Sequence, residues 1–375
     1  MKFRLCTFNI ENLFTRFDFS AFTEDRSVKY LPPVVQFLGD YGTGDYTSFP
    51  EFKQFVQTAL LSQADDKRQH TALALTEADA HLCLLQEVDD FKALSRFLDS
   101  YVKKTSGESY HNRVLHEGND MRGIDVAAIS VRKFPFYSRS HAWLTGSWID
   151  DTDSGKALLD AFPLAKSKAR SLRSRRVLRR DCLEVVVDVG GQEVSLFNCH
   201  FKSMGGWDSE DSLATRQAEA CMVREIVARK FDDPANALWA ICGDLNDAQR
   251  FRFVSSVQEA DGSFDETEKE EPACGEDTSG VDPLLFDGFG VNLLDTLPEA
   301  DRWTHYYASE RHKTQLDYII ASPALVTKMR GVPQVVRSGM PCRVPNTGQH
   351  SRYPRIGWDR PKASDHCPVV VEFNI

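Results

Sequence analysis

The chain has 375 residues, 42% of them hydrophobic and 27% charged, a balance that allows a large buried core and excludes a fibrous or disordered protein. Its formal net charge of −10 excludes a protein that coats nucleic acid by bulk electrostatics, so an anionic substrate must be held locally, by basic clusters or a bound cation. No apolar run approaches a membrane span, and Asn9 and Glu11 interrupt the first apolar residues before a signal-peptide core can form, so the expectation is a cytoplasmic protein without a membrane partner.

In chain order, runs rich in Val, Ile, Leu and Phe predict strands at 3–9, 82–86, 124–131, 183–189, 194–199, 238–242, 316–320 and 368–373. Apolar residues at three- and four-residue spacing predict helices at 51–68, 71–81, 91–103 and 212–230. Elements mixed in this order suggest a layered α/β arrangement. Three segments break the pattern. Residues 15–50 are aromatic and punctuated by Gly and Pro, residues 259–282 hold ten acidic residues and one Lys and read as a solvated loop, and residues 331–363 are rich in Arg, Pro and Gly. Residues 166–180 carry eight positive charges, which either contact a polyanion or balance acidic neighbours. The nine cysteines are odd in number and show no CxxC spacing, so they read as small buried hydrophobes rather than disulfides or zinc ligands.

Polar residues at the ends of apolar strands carry the functional signal, because a carboxylate entering a core is costly unless it is paired or holds a metal. Six such places occur: Asn9 with Glu11, Glu87 in Leu-Leu-Gln-Glu-Val, His200 in Phe-Asn-Cys-His-Phe-Lys-Ser, Asp244 and Asn246 in Cys-Gly-Asp-Leu-Asn, Asp317 in Gln-Leu-Asp-Tyr-Ile-Ile, and Asp365 with His366 in Ser-Asp-His-Cys-Pro. Each alone has a structural explanation, such as a turn, a helix cap or a satisfied core histidine. All six in one chain, in this order, point to a reaction centre.

Gln86-Glu87, Gly243-Asp244-Leu245-Asn246, Leu316-Asp317 and Ser364-Asp365-His366 together resemble the motifs of the endonuclease/exonuclease/phosphatase superfamily, over nearly the whole chain. The resemblance implies a four-layer αββα sandwich, two mixed β-sheets packed face to face with helices outside. It implies one domain over 1–375, with loop insertions near 15–50, 141–180, 250–300 and 331–363. It also implies a Mg2+-dependent phosphodiester hydrolase, with Mn2+ as an alternative ion. Carried over residue by residue, it makes Glu87 the main metal ligand, with Asn9 and Asp365 near the ion. Asp244 then orients or deprotonates the attacking water, Asn246 donates to the phosphoryl oxygens, and Asp317 holds the catalytic His366. Oxygen ligands of this kind suit Mg2+, and acceleration at phosphorus needs metal, fixed donors and an oriented water together.

His200 is similar to the histidine of the deoxyribonuclease and sphingomyelinase branches, and Lys202 with Arg216-Gln217-Ala218 to a group of bacterial nucleases. Glu108 and Glu117 are the carboxylates considered as partners of His200. Arg122, in Met121-Arg122-Gly123-Ile124-Asp125, and Lys202 are candidate phosphate contacts, each with a bland alternative as a turn salt bridge or an exposed lysine. Trp303, Tyr306 and Tyr307 lie where bases could stack, although core packing is the safer reading. The favoured substrate is DNA or RNA. A phosphatase or lipid-head-group phosphodiesterase on the same scaffold is the alternative, since fold alone does not select between them. A non-catalytic binding module is the alternative of another class, set against the fact that every core motif position is filled.

Overall fold

A computed structural model describes residues 1–13, 65–120, 122–204, 210–248, 250–258, 264–272, 278–345 and 351–375. In chain order the strands among them are β1 (Lys2–Leu13), β2 (Leu82–Val88), β3 (Tyr110–Leu115), β4 (Asp125–Val131), β5 (Phe136–Ser140), β6 (Cys182–Val189), β7 (Gln192–His200), β8 (Trp239–Asp244), β9 (Arg250–Gln258), β10 (Phe264–Pro272), β11 (Val291–Asn292), β12 (His305–Tyr307), β13 (His312–Thr314), β14 (Asp317–Ala321), β15 (Met329–Val335) and β16 (Val369–Asn374). One six-stranded sheet runs β15-β16-β1-β2-β4-β3 and a second runs β11-β14-β8-β7-β6-β5. Both are mixed: β1 is parallel to β2 and antiparallel to β16, and β7 is parallel to β8, which is antiparallel to β14.

Side-chain alternation explains how the sheets stack. In β1, Phe3 and Leu5 enter a core shared with Leu196 of β7 and Ala240, Cys242 and Ile319 of β8 and β14. The intervening Cys6 and Phe8 face the other way, against Ala72 and Leu75 of the helix Asp65–Ala78 and Leu94 and Phe97 of the helix Phe91–Phe97. The second sheet does the same with Phe197, Trp239 and Ile241, which pack on Ala218, Cys221 and Met222 of the helix Glu210–Lys230. Strands buried on both faces read as continuous apolar runs, and each fully buried Leu or Phe stabilises the stack by about 1.5–3 kcal/mol. The result is the four-layer αββα sandwich.

The inner faces change character along their length. The period of two that places Phe3 and Leu5 between the sheets also places Thr7 and Asn9 there; likewise Leu84 leads to Gln86, Leu196 to Asn198 and His200, Cys242 to Asp244, and Ile319 back to Asp317. Polar residues therefore gather at one end of the inter-sheet layer. Beneath them a hydrogen-bonded floor closes the core, with Gln86 donating to Asn198 Oδ1 at 2.7 Å and to Thr7 Oγ1 at 3.1 Å, and Asn198 donating to the carbonyls of Leu85 and Ala127 at 3.0 and 2.9 Å.

The eight expected strands fall on β1, β2, β4, β6, β7, β8, β14 and β16. The helix expected at 51–68 reaches the described residues only from residue 65, where it is continuous with the one expected at 71–81; the 15–50 segment lies outside them. Two expectations need correction. The acidic segment 259–282 is not simply a solvated loop, because β10 pairs antiparallel with β9 in a smaller sheet of order β10-β9-β13-β12. Its Glu268 meets Lys313 at 2.6 Å and Arg252 at 3.2 Å, and Glu270 meets Arg250 at 3.4 Å, so cross-strand ion pairs hold a strand that shows no apolar periodicity. Residues 141–180 contain the helices Gly146–Asp150, Asp153–Ala161 and Pro163–Ser171 rather than one long loop. The described cysteines are unpaired, and no helix among the described residues is long and apolar enough to cross a membrane.

Candidate active site

At the polar end of the sandwich, strand register brings the candidate site residues together. Asp244 is opposite Asp317 on one neighbouring strand and His200 on the other. His366 Nδ1 lies 2.8 Å from Asp317 Oδ2, and its Nε2 lies 3.7 Å from Asp244 Oδ2. His200 Nε2 approaches the same oxygen at 3.5 Å, and Asn9 donates to it across the sheets at 2.9 Å. Thr304 steadies the pair: its hydroxyl accepts from the backbone N–H of Leu316 and Asp317, both at 3.0 Å, while its carbonyl accepts from Cys367 N–H at 2.7 Å. Gly243 sits at φ 135° with the place of a Cβ only 1.9 Å from the Cys199 carbonyl oxygen, so glycine is required where β8 passes β7.

Electrostatics divides the two histidines. Burial works against a charged His366, but the carboxylates of Asp317 and Asp244 outweigh it and hold the ring protonated well above the ordinary range. His200 is pushed the opposite way by burial and by the cations Arg180 and Arg122, so it is neutral. Asp244 is raised to about 7 by burial, against the attraction of His366 and with the repulsion of Asp317. A carboxyl poised there can exchange a proton near neutrality.

Asp244, Asp317 and His366 bring ligand-type atoms within 4.8 Å of one another. The His366–Asp317 hydrogen bond argues for proton holding there, since a cation would have to displace the proton that the two carboxylates stabilise. Glu87 fits a cation better. It is half-buried, its carboxyl is raised by burial and by the charge of Asp365, and Asn12 N–H donates to its Oε2 at 2.9 Å. A carboxylate with surplus negative charge and few donors is what a hard divalent ion would satisfy. Asn9 donates to Asp244 and accepts the Glu11 N–H at 3.0 Å, and its side chain also steadies the Glu87 carboxylate, so it braces the two sheets beside the candidate cation ligand. Asp365 is half-buried, and although burial raises its carboxyl, Lys362 at 3.7 Å and the rings of His366 and His305 lower it strongly. Glu11 is occupied by Lys67 at 2.9 Å, Lys362 at 3.0 Å and Arg360 at 3.4 Å, a structural ion cluster.

Glu87 at φ 63° and Asn246 at φ 49° lie in left-handed backbone, and the β2 register shifts between Gln86 and Val88. Alternation alone would send Glu87 to the helix face; the irregularity turns it to the sheet edge, and strain of about 1–3 kcal/mol is commonly stored at such sites. Asn246 donates its backbone N–H to Asp244 Oδ1 at 2.8 Å and one amide hydrogen to Phe201 O at 3.1 Å, leaving the other amide hydrogen for a ligand.

On the His200 side, Arg122 is exposed and forms the expected turn salt bridge with Asp120 at 2.9 Å, while still charging the surroundings of Glu87 and His200. Lys202 is half-buried, with Nζ donating to Ser203 O at 2.9 Å. Glu108 and Glu117 are exposed, and His200 Nδ1 has no hydrogen-bond partner among the described residues. Trp303 and Tyr306 belong to a small core with Met340, Val344 and Cys367, and Tyr307 is exposed. Sequence reasoning missed three neighbours. Arg180, buried between Asp120 at 2.9 Å and Phe201 O at 2.7 Å, was hidden in a basic run. His305, whose ring is 4.7 Å from that of His366, opens the three-residue strand β12, and Thr304 immediately precedes it, in a stretch too short to register as a pattern.

The family model described as Endonuclease/Exonuclease/phosphatase family matches residues 7–366. Among solved structures, D. rerio TDP2 complexed with single strand DNA product is 12% identical, with a TM-score of 0.49 and coverage of 100% of this chain and 99% of that one. The human Nocturnin catalytic domain with bound sulfate anion is 12% identical, with a TM-score of 0.49, covering 100% and 93%. An endonuclease/exonuclease/phosphatase family protein from Bacteroides thetaiotaomicron is 12% identical, with a TM-score of 0.45, covering 100% and 99%. No curated protein matches the sequence.

Proposed function

The chain belongs to the endonuclease/exonuclease/phosphatase family of enzymes, and on that premise we propose that it is a divalent-metal-dependent phosphodiester hydrolase acting on DNA or RNA. The observation that carries the reading is the meeting of Asp244, Asp317, His366 and His200 at the end of the inter-sheet layer, with Asn9 bridging from the other sheet.

Asp244, raised to about 7, accepts the proton of the attacking water. His366, protonated and held by Asp317, presents Nε2–H to the charge that grows on the phosphoryl oxygens, and the spare amide hydrogen of Asn246 adds a second donor. Neutral His200 faces Asp244 from the opposite strand and limits how the carboxylate turns. Glu87, with Asp365 nearby, would hold Mg2+ or Mn2+, which when bound neutralises phosphate charge and lowers the pKa of water. Arg122 and Lys202 contact phosphate oxygens on the His200 side, which supplies the local positive charge that an acidic chain needs for a polyanion.

The test is a substrate panel with purified protein and Mg2+ or Mn2+: plasmid DNA, single-stranded DNA, RNA, bis-p-nitrophenyl phosphate and inositol phosphates. Cleavage of polynucleotide and of the small diester is expected. Release of phosphate from inositol phosphates with inert polynucleotides would replace the nuclease reading with a phosphatase.

A further inference from the structure

Most of the positive charge in residues 166–180 is already matched. Lys166 pairs with Asp160, Lys168 with Asp211 at 2.7 Å, Arg170 and Arg173 with Asp150 at 3.5 and 3.3 Å, and Arg180 with Asp120 at 2.9 Å. Arg179, unlike the similarly exposed and unpaired Arg175, is held at its backbone by a buried carboxylate. It is exposed and forms no ion pair among the described residues, yet its backbone is fixed from below. Glu219, 1% exposed on the helix Glu210–Lys230, accepts the Arg179 N–H at Oε1, 2.7 Å away, and the Lys202 N–H at Oε2, 2.8 Å away. One buried carboxylate thus ties together two segments distant in sequence, and Arg180 Nη1, donating to Phe201 O at 2.7 Å, ties them again.

We propose that Glu219 is a positioning residue that sets Arg179 and Lys202 side by side as a two-cation clamp for the phosphate next to the scissile one. Lys202 lies two residues beyond His200, at most about 7 Å along the chain, so its ammonium can meet a neighbouring phosphate while His200 lines the reaction centre. Burial and the nearby guanidiniums of Arg180, Arg179 and Arg216 lower the Lys202 ammonium, with Glu219 opposing them; this is a cationic surplus that a phosphate relieves. Two charged donors on a braced backbone lose less freedom on binding than two independent surface chains.

This inference rests on the nucleic-acid reading of the site. Binding of a labelled single-stranded oligonucleotide is measured against salt, and its cleavage by steady-state kinetics, for wild type, R179Q, K202Q, R179K, E219Q and the neighbouring exposed R175Q. R179Q and K202Q should each raise KM about ten-fold, as expected for a lost charged hydrogen bond, with kcat far less affected. Each should flatten the slope of log affinity against log salt by up to about 0.7, the contribution of one single-strand phosphate. R179K should keep the slope, R175Q should match wild type, and E219Q should reproduce the KM rise without adding to it in the R179Q/K202Q background. If E219Q unfolds, as a melting curve would show, the two surface variants still decide whether the clamp exists, and E219D takes its place in the cycle. Unchanged KM and slope in R179Q and K202Q, with active wild type, overturn the clamp and leave the nuclease reading standing. A wild type that hydrolyses bis-p-nitrophenyl phosphate but neither binds nor cuts the oligonucleotide overturns both.

Discussion

Asp317 Oδ2 lies 2.8 Å from Nδ1 of His366, on a strand whose neighbour carries Asp244 directly opposite. The imidazolium is therefore gripped between two carboxylates from adjacent strands, and its charge and direction come from backbone register rather than from a flexible loop.

His366→Ala should lower kcat on a small diester by at least about 10²-fold if the ring acts in proton transfer or charge stabilisation. Asp317→Asn should act through the same ring, so the double variant should lose little more than the worse single one. Rates from a full double-mutant cycle check this, and fully additive losses would separate the two residues.

Gly243→Ala places a methyl 1.9 Å from the Cys199 carbonyl oxygen at a backbone φ of 135°. The strands must part, and since Asp244 and His200 flank the contact, stability and catalysis should fall together. A loss of at least about 2 kcal/mol in chemical denaturation is expected. A variant as stable and active as wild type would remove the close approach from the account.

Asp125 is buried at the start of β4 and raised to about 7, by burial first and then, against the Gly118 N–H bond of 2.8 Å, by the charges of Asp120, Glu117 and Asp181. A carboxyl whose folded value is raised keeps its stabilising contribution below the unfolded value and loses it as pH rises through the folded one. Wild type should therefore lose stability from this group between about pH 4 and pH 7, by at most about 4 kcal/mol. Asp125→Asn should gain relative to wild type over the same window. Denaturation midpoints of the two proteins at pH 4, 5.5 and 8 check it; a constant difference would show that Asp125 is ionised throughout.

How much of this was legible in the sequence follows from its physics. Strands buried on both faces announce themselves as apolar runs, and the polar residues that end them, Asn9, His200, Asp244, Asp317 and His366, converge because alternation and register leave them no other place. Glu87 was readable as a residue but not as a geometry, since its direction depends on a left-handed φ and a shift in register. Strand β10 was not readable, because its cohesion comes from Glu268 and Glu270 meeting cations on β9 and β13. Arg180 was also invisible, because a buried cation looks like any other charge until its partners in space are known, and so were Thr304 and His305, at a strand too short to show a period.

We propose that Glu87 supplies charge for a metal while the Asp244, Asp317 and His366 cluster handles protons. It is tested most directly by measuring bis-p-nitrophenyl phosphate hydrolysis against Mg2+ and Mn2+ concentration for wild type and Glu87→Gln, alongside calorimetric titration of the same ions into both proteins. Wild-type activity should vanish in chelator and return with either ion, and Glu87→Gln should bind both ions more weakly and be severely impaired at ordinary Mg2+, with partial recovery in excess Mn2+. Undiminished hydrolysis in chelator, or a Glu87→Gln variant with wild-type ion affinity and rate, would contradict it.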